Sequence, residues 1–453
     1  MKNDLFFLLL FILLLLGLYH LSRYKWVQKL LSGKFKPSKS TTPKPRQLKP
    51  KSEKDCPQCR ASVLSNGEAM PDTCSYAPIP WCRVKGKGGR KRTIRTQGYF
   101  CSNPACAYYL ITNETIHALV GDGSHGKYED IQDLLCQACH KKFTVRRHTV
   151  LYRLKTHSAT VRLVLNLLAL GVDASAIEEA LNLRESTIRT WLCRSGEQGR
   201  KLHQRFLANL DLVHVQLDEL WANVKQAQQE VWVWTVCDAK TKLIPVLQLG
   251  TRTQDMAYSV VHELKTRLTP GCVPVFSSDG LKHYFYALTA HFGEWFQSGD
   301  QPKPTWLLLA AFAYAQVIKH RRRFRLVDVE QRTIWGLPSE YSSRLKAAGL
   351  SGRINTSFVE RANLTIRQSV SKLTRRTWGT AQFTPELSEH LFWWLAYYHF
   401  CRYHESLRVK LERPIQRKGK QRPIQYRRMT PAIAAGLTHQ RWSVMELISY
   451  PLL

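Results

Sequence analysis

The sequence predicts an α/β protein in which a mixed β-sheet follows a cysteine-rich region and a small all-helical region. Closely spaced cysteines cluster between Cys56 and Cys139, apolar residues recur at helical spacing over residues 158–197, and short apolar strands begin near Val213. From about residue 354 the pattern becomes helical again. With 453 residues, the chain is long enough for two or three domains that bury a sizeable core.

The net charge of the chain indicates which kinds of molecule the protein is expected to bind. Lys and Arg number 67 against 34 Asp and Glu, which gives a net charge of +33 and a pI of about 9.9. So large a surplus favours a polyanion, either nucleic acid or an anionic membrane surface. The short paired spacings among the twelve cysteines favour zinc over disulfides, and therefore a reducing compartment.

Two turns that each contain two cysteines predict a zinc ribbon. Cys101 and Cys106 lie in "YFCSNPAC", and Cys136 and Cys139 lie in "LLCQACHKKFT". Two such turns can present four thiolates to one tetrahedral Zn²⁺. The four residues between Cys101 and Cys106 make this turn wider than the usual two-residue spacing.

A second zinc half-site is predicted from "CPQC", which contains Cys56 and Cys59. Cys74 and Cys82 are candidate partners, although their spacing is loose. In a different register, Cys56 and Cys59 would instead pair with Cys101 and Cys106. The sequence leaves both pairings open.

Residues 158–197 predict three short helices with a tight turn before the third. Gly171 ends the first helix, Asp173 can cap the second, and the third runs from about residue 185 to 194. A polar, basic third helix after a tight turn is typical of a major-groove reader, and an ordinary three-helix bundle is the alternative. The predicted inward residues are Val161, Val164, Leu165, Leu168, Ile177, Leu181, Ile188, Trp191 and Leu192, and the predicted DNA-facing residues are Arg184, Ser186, Thr187, Arg189 and Thr190.

The strands that follow carry acids at their ends. "LVHVQLDELWANV" alternates into a strand that ends near Asp218, "VWVWTVCDAKTKLIPVLQLG" gives two more strands, and "CVPVFSSDGLKHYFYAL" gives a fourth that runs into Asp279. This order is typical of a ribonuclease-H-like sheet, in which the first and fourth strands are neighbours. A helix that begins near Phe358 could then deliver Glu360 to the same place.

Three converging carboxylates could bind the metal ions that a reaction at a phosphodiester needs. In-line attack on a phosphodiester is stabilised by two divalent ions, Mg²⁺ or Mn²⁺, which bind Asp and Glu oxygens. Each acid also has a structural alternative as a turn former or a helix-start residue. Glu219 competes with Asp218 for the first position, and Asp238 is a weaker rival.

"QLDELWA", "SSDGLKHY" and "FVERANLTIRQSVSKLTRRT" resemble the three acidic blocks of DDE transposases, most closely the insertion-sequence-one type. The resemblance covers about residues 98–450 and implies a zinc ribbon, a helix-turn-helix and a ribonuclease-H-like catalytic core. It implies that Asp218, Asp279 and Glu360 hold the metal ions, and that the protein cleaves and joins DNA as a homo-oligomer. The basic residues Arg361 and Arg367 would then hold the DNA backbone.

Two other functions fit the same residues. A degenerate transposase would bind DNA through its zinc ribbon and helix-turn-helix without cutting it. A structure-specific nuclease would share the sheet, but it would not need the two DNA-reading modules.

The N-terminal residues 5–21 are apolar except for His20, and basic residues follow them. Their length is at the lower limit for a membrane span, so the segment is either an anchor or a misassigned start. The expected location is the cytoplasm at the nucleoid, with a membrane tether if the anchor is real. The predicted organisation is a hydrophobic segment (1–31), a disordered basic linker (32–55), a cysteine-rich region (56–150), the helical domain (151–208), the catalytic domain with an insertion near 300–350 (209–407), and a basic linker with a tail (408–453).

Overall fold

A computed structural model of the protein describes residues 80–85, 94–297, 303–323, 325–374, 381–416 and 423–452. The hydrophobic segment 5–21, the linker 32–55 and the predicted half-site at Cys56 and Cys59 lie outside these residues, as do Cys74 and the side chain of Cys82. Within the described ranges, no helix combines the length and the apolar character that a membrane span needs.

The cysteine-rich region forms a small antiparallel sheet. Its strands pair in the order β1-β2-β3, and its core contains the buried residues Leu119 and Leu134 together with Cys101 and Cys136. Its elements are α1 (Trp81–Lys85), β1 (Leu119–His125), β2 (Ile131–Cys136) and β3 (Lys142–Thr144).

The predicted three helices are present as α2 (Ser158–Ala169), α3 (Ala174–Leu181) and α4 (Glu185–Phe206). Gly171, with φ +92°, follows α2 as expected, since a left-handed backbone favours glycine. The predicted end of the third helix near residue 194 is wrong, because α4 continues to Phe206 against a C-terminal helix. The predicted inward residues are confirmed as buried for Val161, Val164, Leu165, Leu168, Ile177, Ile188 and Trp191, whereas Leu181 and Leu192 are partly buried.

The centre of the protein is a six-stranded mixed sheet in the order β11-β10-β7-β4-β5-β6. β4 pairs in parallel with β7, which confirms the predicted neighbourhood of the first and fourth strands, and β10 pairs in parallel with β7. The remaining pairs are antiparallel. The elements are β4 (His214–Ala222), β5 (Val231–Asp238), β6 (Val246–Gly250), α5 (Gln254–Arg267), β7 (Val275–Ser278), α6 (Lys282–His291), β8 (Gly293–Phe296), β9 (Thr305–Leu308), β10 (Ala313–Arg322) and β11 (Arg325–Trp335).

Helices cover both faces of this sheet because its strands alternate between two apolar sides. Val215 and Leu217 pack with α5 and α6 on one face, and Leu220 and Ala222 pack on the other. The second face is covered by α8 (Ser357–Ser369) and α9 (Thr384–Ala396), which follow α7 (Pro338–Ala347). Asp218 is therefore on the α8 side, because it alternates with Leu217 along β4.

The stretch predicted as an insertion, near 300–350, contributes β10 and β11 to the central sheet, and Tyr341 of α7 is buried beside that sheet. The prediction of a linker further along the chain is wrong. The predicted basic linker at 408–428 contains, in its described part, the paired strands β12 (His404–Ile415) and β13 (Ile424–Met429). The tail likewise forms α10 (Pro431–Ala434) and α11 (Val444–Ser449), which share a core with α2.

The contact between α4 and α9 depends on two glycines. A Cβ atom at Gly199 would lie 2.4 Å from the carbonyl oxygen of Phe392, and one at Gly196 would lie 2.3 Å from that of Glu389. We expect Gly199→Ala to lower the free energy of unfolding by about 1–3 kcal/mol, because the backbones must separate. Chemical denaturation measures this change. Ser186→Ala, on the exposed face of the same helix, is the control, and equal stability of both variants would contradict the prediction.

Candidate functional site

Three carboxylates meet where β4 and β7 lie side by side. Asp218 and Glu219 are on β4, and Asp279 directly follows the last residue of β7. One oxygen from each carboxylate lies within 4.8 Å of the others, which is close enough to share a metal ion. Asp218 and Asp279 line a cavity of about 600 Å³, with Glu360 at its wall.

Asp218 is held by the helix that carries Glu360. The amide nitrogen Nδ2 of Asn363 donates a hydrogen bond of 2.8 Å to Oδ2 of Asp218. Burial, and then the negative charges of Glu219 and Asp279, raise the pKa of Asp218 to about 7. Oδ1 of Asn363 is buried and has no hydrogen-bond partner among the described residues.

Glu219 is held from the opposite side of β4. Tyr284 donates its hydroxyl proton to Oε2 at 2.9 Å, and Arg252 Nη2 lies 2.6 Å from Oε1. The Glu219 side chain is only 2% exposed. Burial, followed by the charge of Asp279, raises its pKa. Glu219 is thus an oriented member of the cluster, not a strand-end residue in solvent.

Asp279 is fixed by its own turn. The backbone N–H of Leu281 donates a hydrogen bond of 3.0 Å to its Oδ1. Burial raises the pKa of Asp279, and Glu360 adds to that increase, whereas Arg252 and Lys319 oppose it. Asp279 therefore has both of the roles that the sequence leaves open. It forms a turn with the glycine that follows it, and it also presents its carboxylate to the cluster.

Glu360 lies at the same cavity but outside the close group. It is in the first turn of α8, where Thr356 donates its hydroxyl proton to Oε1 at 2.5 Å. Lys319 Nζ, on β10, lies 2.5 Å from the same oxygen. The predicted triad of Asp218, Asp279 and Glu360 therefore shares one cavity, but Glu219 occupies the third position in the closest group.

Asp238, the weaker rival in the sequence, has a structural role. It is buried at the end of β5, and its Oδ2 accepts hydrogen bonds of 2.7 Å from both N and Oγ1 of Thr241. Its register partner on β4 is Val215, three residues before Asp218. Asp238 therefore shapes a turn away from the carboxylate cluster.

The raised pKa of Asp218, caused first by burial and then by the charges of Glu219 and Asp279, leads to a prediction about pH. The pKa of Asp218 is 3.8 without perturbation and about 7 in the fold, so its stabilising contribution is complete below 3.8 and is lost as the pH rises to about 7. We expect Asp218→Asn to raise the melting temperature of metal-free protein at pH 8 and to remove most of its stabilisation by Mg²⁺. Thermal melts with and without Mg²⁺ test this, with Asp130→Asn, an exposed acid, as the control. A lower melting temperature at pH 8 would contradict the prediction.

The four predicted cysteines also lie together. The Sγ atoms of Cys101 and Cys139 are 3.6 Å apart, and those of Cys106 and Cys136 are 3.7 Å apart. Tetrahedral zinc with Zn–S bonds of about 2.3 Å requires sulfur–sulfur distances of about 3.8 Å, so the group fits the ion. The backbone N–H of Tyr108 donates to Sγ of Cys106 at 3.4 Å, which steadies one thiolate.

The predicted DNA-facing residues have different surroundings. Arg184, Ser186 and Thr190 are exposed on α4, and Thr187 is partly buried. Arg189 does not face solvent freely, because it donates to Glu185 at 2.7 Å and to Glu386 at 2.8 Å. On α8, Arg361 is exposed and Arg367 is partly buried.

Three residues of the carboxylate site were missed by sequence reasoning. Asn363 had a signal, because it lies three residues after Glu360 and so on the same helical face. The sequence contains no comparable signal for Arg252 and Tyr284, because their contact with Glu219 depends on the packing of α5 and α6 against the sheet.

Comparison with known proteins gives no family for this chain. Neither a protein-family model nor a curated protein matches it. Functional inference therefore depends on the two clusters and on the charge around them.

Proposed function

We propose that the protein is a DNA transposase that cleaves and joins DNA with divalent metal ions held at the carboxylate cluster. The observation that carries this proposal is the meeting of Asp218, Glu219 and Asp279 at the point where the parallel pairing of β4 and β7 ends, with Glu360 beside them. Buried carboxylates that raise one another's pKa are typical of sites that hold a cation.

The strand order supports a ribonuclease-H-like core. An antiparallel β4–β5–β6 meander is joined on its β4 side by parallel β7 and β10, and the cluster lies at the β4–β7 boundary. In such a fold the first and fourth core strands and a later helix bring the acids together. β11 would be an additional strand at the edge of that core.

The residues have distinct roles in this proposal. Asp218, Glu219 and Asp279 would hold Mg²⁺ or Mn²⁺, which stabilises the attacking and leaving oxygens of a phosphodiester exchange. Asn363, Arg252 and Tyr284 orient these carboxylates. Lys319 and Lys282, which line the same cavity, would neutralise the phosphates of the DNA beside the reacting bond.

The other modules would recognise the ends of the mobile element. The exposed residues Arg184, Ser186 and Thr190 at the start of α4 are suited to base and phosphate contacts in the major groove. Zinc held by four thiolates would stiffen the β1–β3 module next to these helices. Joining two ends requires two active sites, so we expect a homo-oligomer on DNA.

One observation favours the alternative, a DNA-binding protein that does not cut. Glu360 is paired with Lys319 and lies outside the closest carboxylate group. If that pairing persists on DNA, the protein would bind element ends without joining them.

Strand transfer distinguishes the two functions. Wild-type protein is incubated with Mg²⁺, a plasmid target and labelled duplexes from the ends of the DNA that carries its coding sequence. Joined products are expected for a transposase. Specific binding of the duplex ends without any nicked or joined product would establish the binding protein instead.

A further inference from the structure

A second cavity lies between the β1–β3 module and the helical region, far from the carboxylates in sequence. It measures about 640 Å³, and one wall is the turn between β1 and β2, which contains Lys127 and Tyr128. The other wall is the segment that leads to α2, which contains Tyr152, Arg153 and Lys155. We call it the module groove.

The two walls carry the same pair of chemical groups. Lys127 Nζ lies 5.3 Å from the ring centre of Tyr128, and the Arg153 guanidinium lies 5.3 Å from the ring centre of Tyr152. Tyr128 is 68% exposed, which is unusual for a tyrosine that belongs to a packed core. Each wall thus has an aromatic ring with a cation over one of its faces.

The charge of the module groove is strongly positive. Among the described lining residues the only acid is Glu129, which is already paired with Arg146 at 2.5 Å. The cationic and titratable groups along the lining are His125, Lys127, Arg146, Arg153, Lys155 and His157, and His125 also contacts Asp133 at 2.9 Å. Lys127, Arg153 and Lys155 therefore favour an anionic ligand.

The groove is also held open by its own structure. Glu129 accepts hydrogen bonds from the backbone N–H of Ser158 at 3.0 Å and from the Ser158 hydroxyl, which ties the turn to the start of α2. Gly126 has φ +126°, and a Cβ atom there would lie 2.2 Å from the carbonyl oxygen of Glu129. The turn therefore favours glycine at this position, and the contacts of Glu129 with Ser158 join the two walls.

We propose that the module groove binds unpaired nucleotides of single-stranded DNA. Bases that have left the duplex can stack on Tyr128 and Tyr152, and the adjacent cations neutralise the phosphates. A duplex keeps the faces of its bases stacked on one another, so it would leave the exposed ring of Tyr128 and the partly buried ring of Tyr152 without a stacking partner. The proposal depends on the proposed function only in the choice of DNA as the nucleic acid, since the groove lies outside the carboxylate site.

Equilibrium binding without Mg²⁺ tests the proposal separately from catalysis. Fluorescence anisotropy is measured with a labelled oligothymidylate of about 12 nucleotides in buffer that contains neither Mg²⁺ nor a chelator, so that zinc is retained, and with a duplex of equal length. We expect Tyr128→Leu and Tyr152→Leu each to weaken oligothymidylate binding roughly tenfold and to change duplex binding less than about twofold. Tyr128→Phe and Tyr152→Phe keep the rings and should bind like wild type.

Tyr286→Leu provides the matched control, because Tyr286 is 53% exposed on α6, outside the groove. Zinc content and melting temperature show whether each variant is folded. The proposal is overturned if the folded Leu variants bind oligothymidylate within twofold of wild type, if Tyr286→Leu loses as much affinity, or if the duplex loses as much as the single strand. A failure of strand transfer would leave this binding result unaffected.

Discussion

Asp279→Asn is expected to reduce Mg²⁺-dependent strand transfer by at least about a thousandfold, because the amide removes one of the three carboxylates proposed to hold the cation. A thousandfold loss corresponds to about 4 kcal/mol of transition-state stabilisation. Asn is close to Asp in shape, and its Oδ1 can still accept the hydrogen bond from Leu281 N–H. The fold should therefore persist while activity is lost, which joined-product assays and a thermal melt measure together.

Parallel substitutions separate the two candidates for the third carboxylate. Glu219→Gln and Glu360→Gln are each expected to lose at least a hundredfold if Glu360 leaves Lys319 to reach the metal on DNA. Full activity of Glu360→Gln with none in Glu219→Gln would assign the third position to Glu219. Asp211→Asn, an exposed acid before β4, is the control. Wild-type activity in Asp279→Asn would exclude catalysis at this cluster.

Cys136→Ser is expected to release about one equivalent of zinc and to unfold the β1–β3 module. Binding of zinc to a four-thiolate site supplies folding free energy of about 10–16 kcal/mol in small zinc-binding peptides, more than a three-stranded sheet gains by itself. Cys136 is wholly buried beside Leu119 and Leu134, so loss of the ion also exposes this small core. Metal analysis and hydrogen exchange of residues 119–144 measure the two effects.

Cys193→Ser is the control for this prediction, since Cys193 is exposed on α4 and outside the thiolate cluster. Its zinc content and exchange rates should equal those of wild type. Unchanged zinc in Cys136→Ser would rule out the four-cysteine site. If zinc were lost while the exchange protection of β1–β3 remained, the ion would be bound but would not support the fold.

The sequence was most informative where a residue's neighbours are local. Helical spacing correctly identified the buried faces of α2 and α3, and paired cysteines at short spacing correctly identified the residues of the sulfur cluster. Alternation along β4 also placed Val215 and Leu217 on a common face. In each case a single periodicity or a single short spacing is enough to predict which residues share a face or a cluster.

Long-range contacts explain the errors. The length of α4 depends on glycines that meet α9, almost two hundred residues later, and no local pattern marks the end of that helix. The strands β12 and β13 form an exposed hairpin that is rich in basic residues. A basic linker has a similar composition, so composition alone does not distinguish the two. Glu219 entered the carboxylate group because Arg252 and Tyr284 hold it there, which only the fold reveals.

The continuous helix α4 sets a fixed distance within the protein, which equals its own length. Its 22 residues span about 33 Å, and its latter half lies against α9, which also packs beneath the central sheet. At about 3.4 Å per base pair, this length corresponds to roughly ten base pairs of DNA. In a transposase built in this way, the rigid helix α4 of one subunit would set the distance between the DNA sequence that is recognised and the bond that is cut. A flexible linker would not set such a distance.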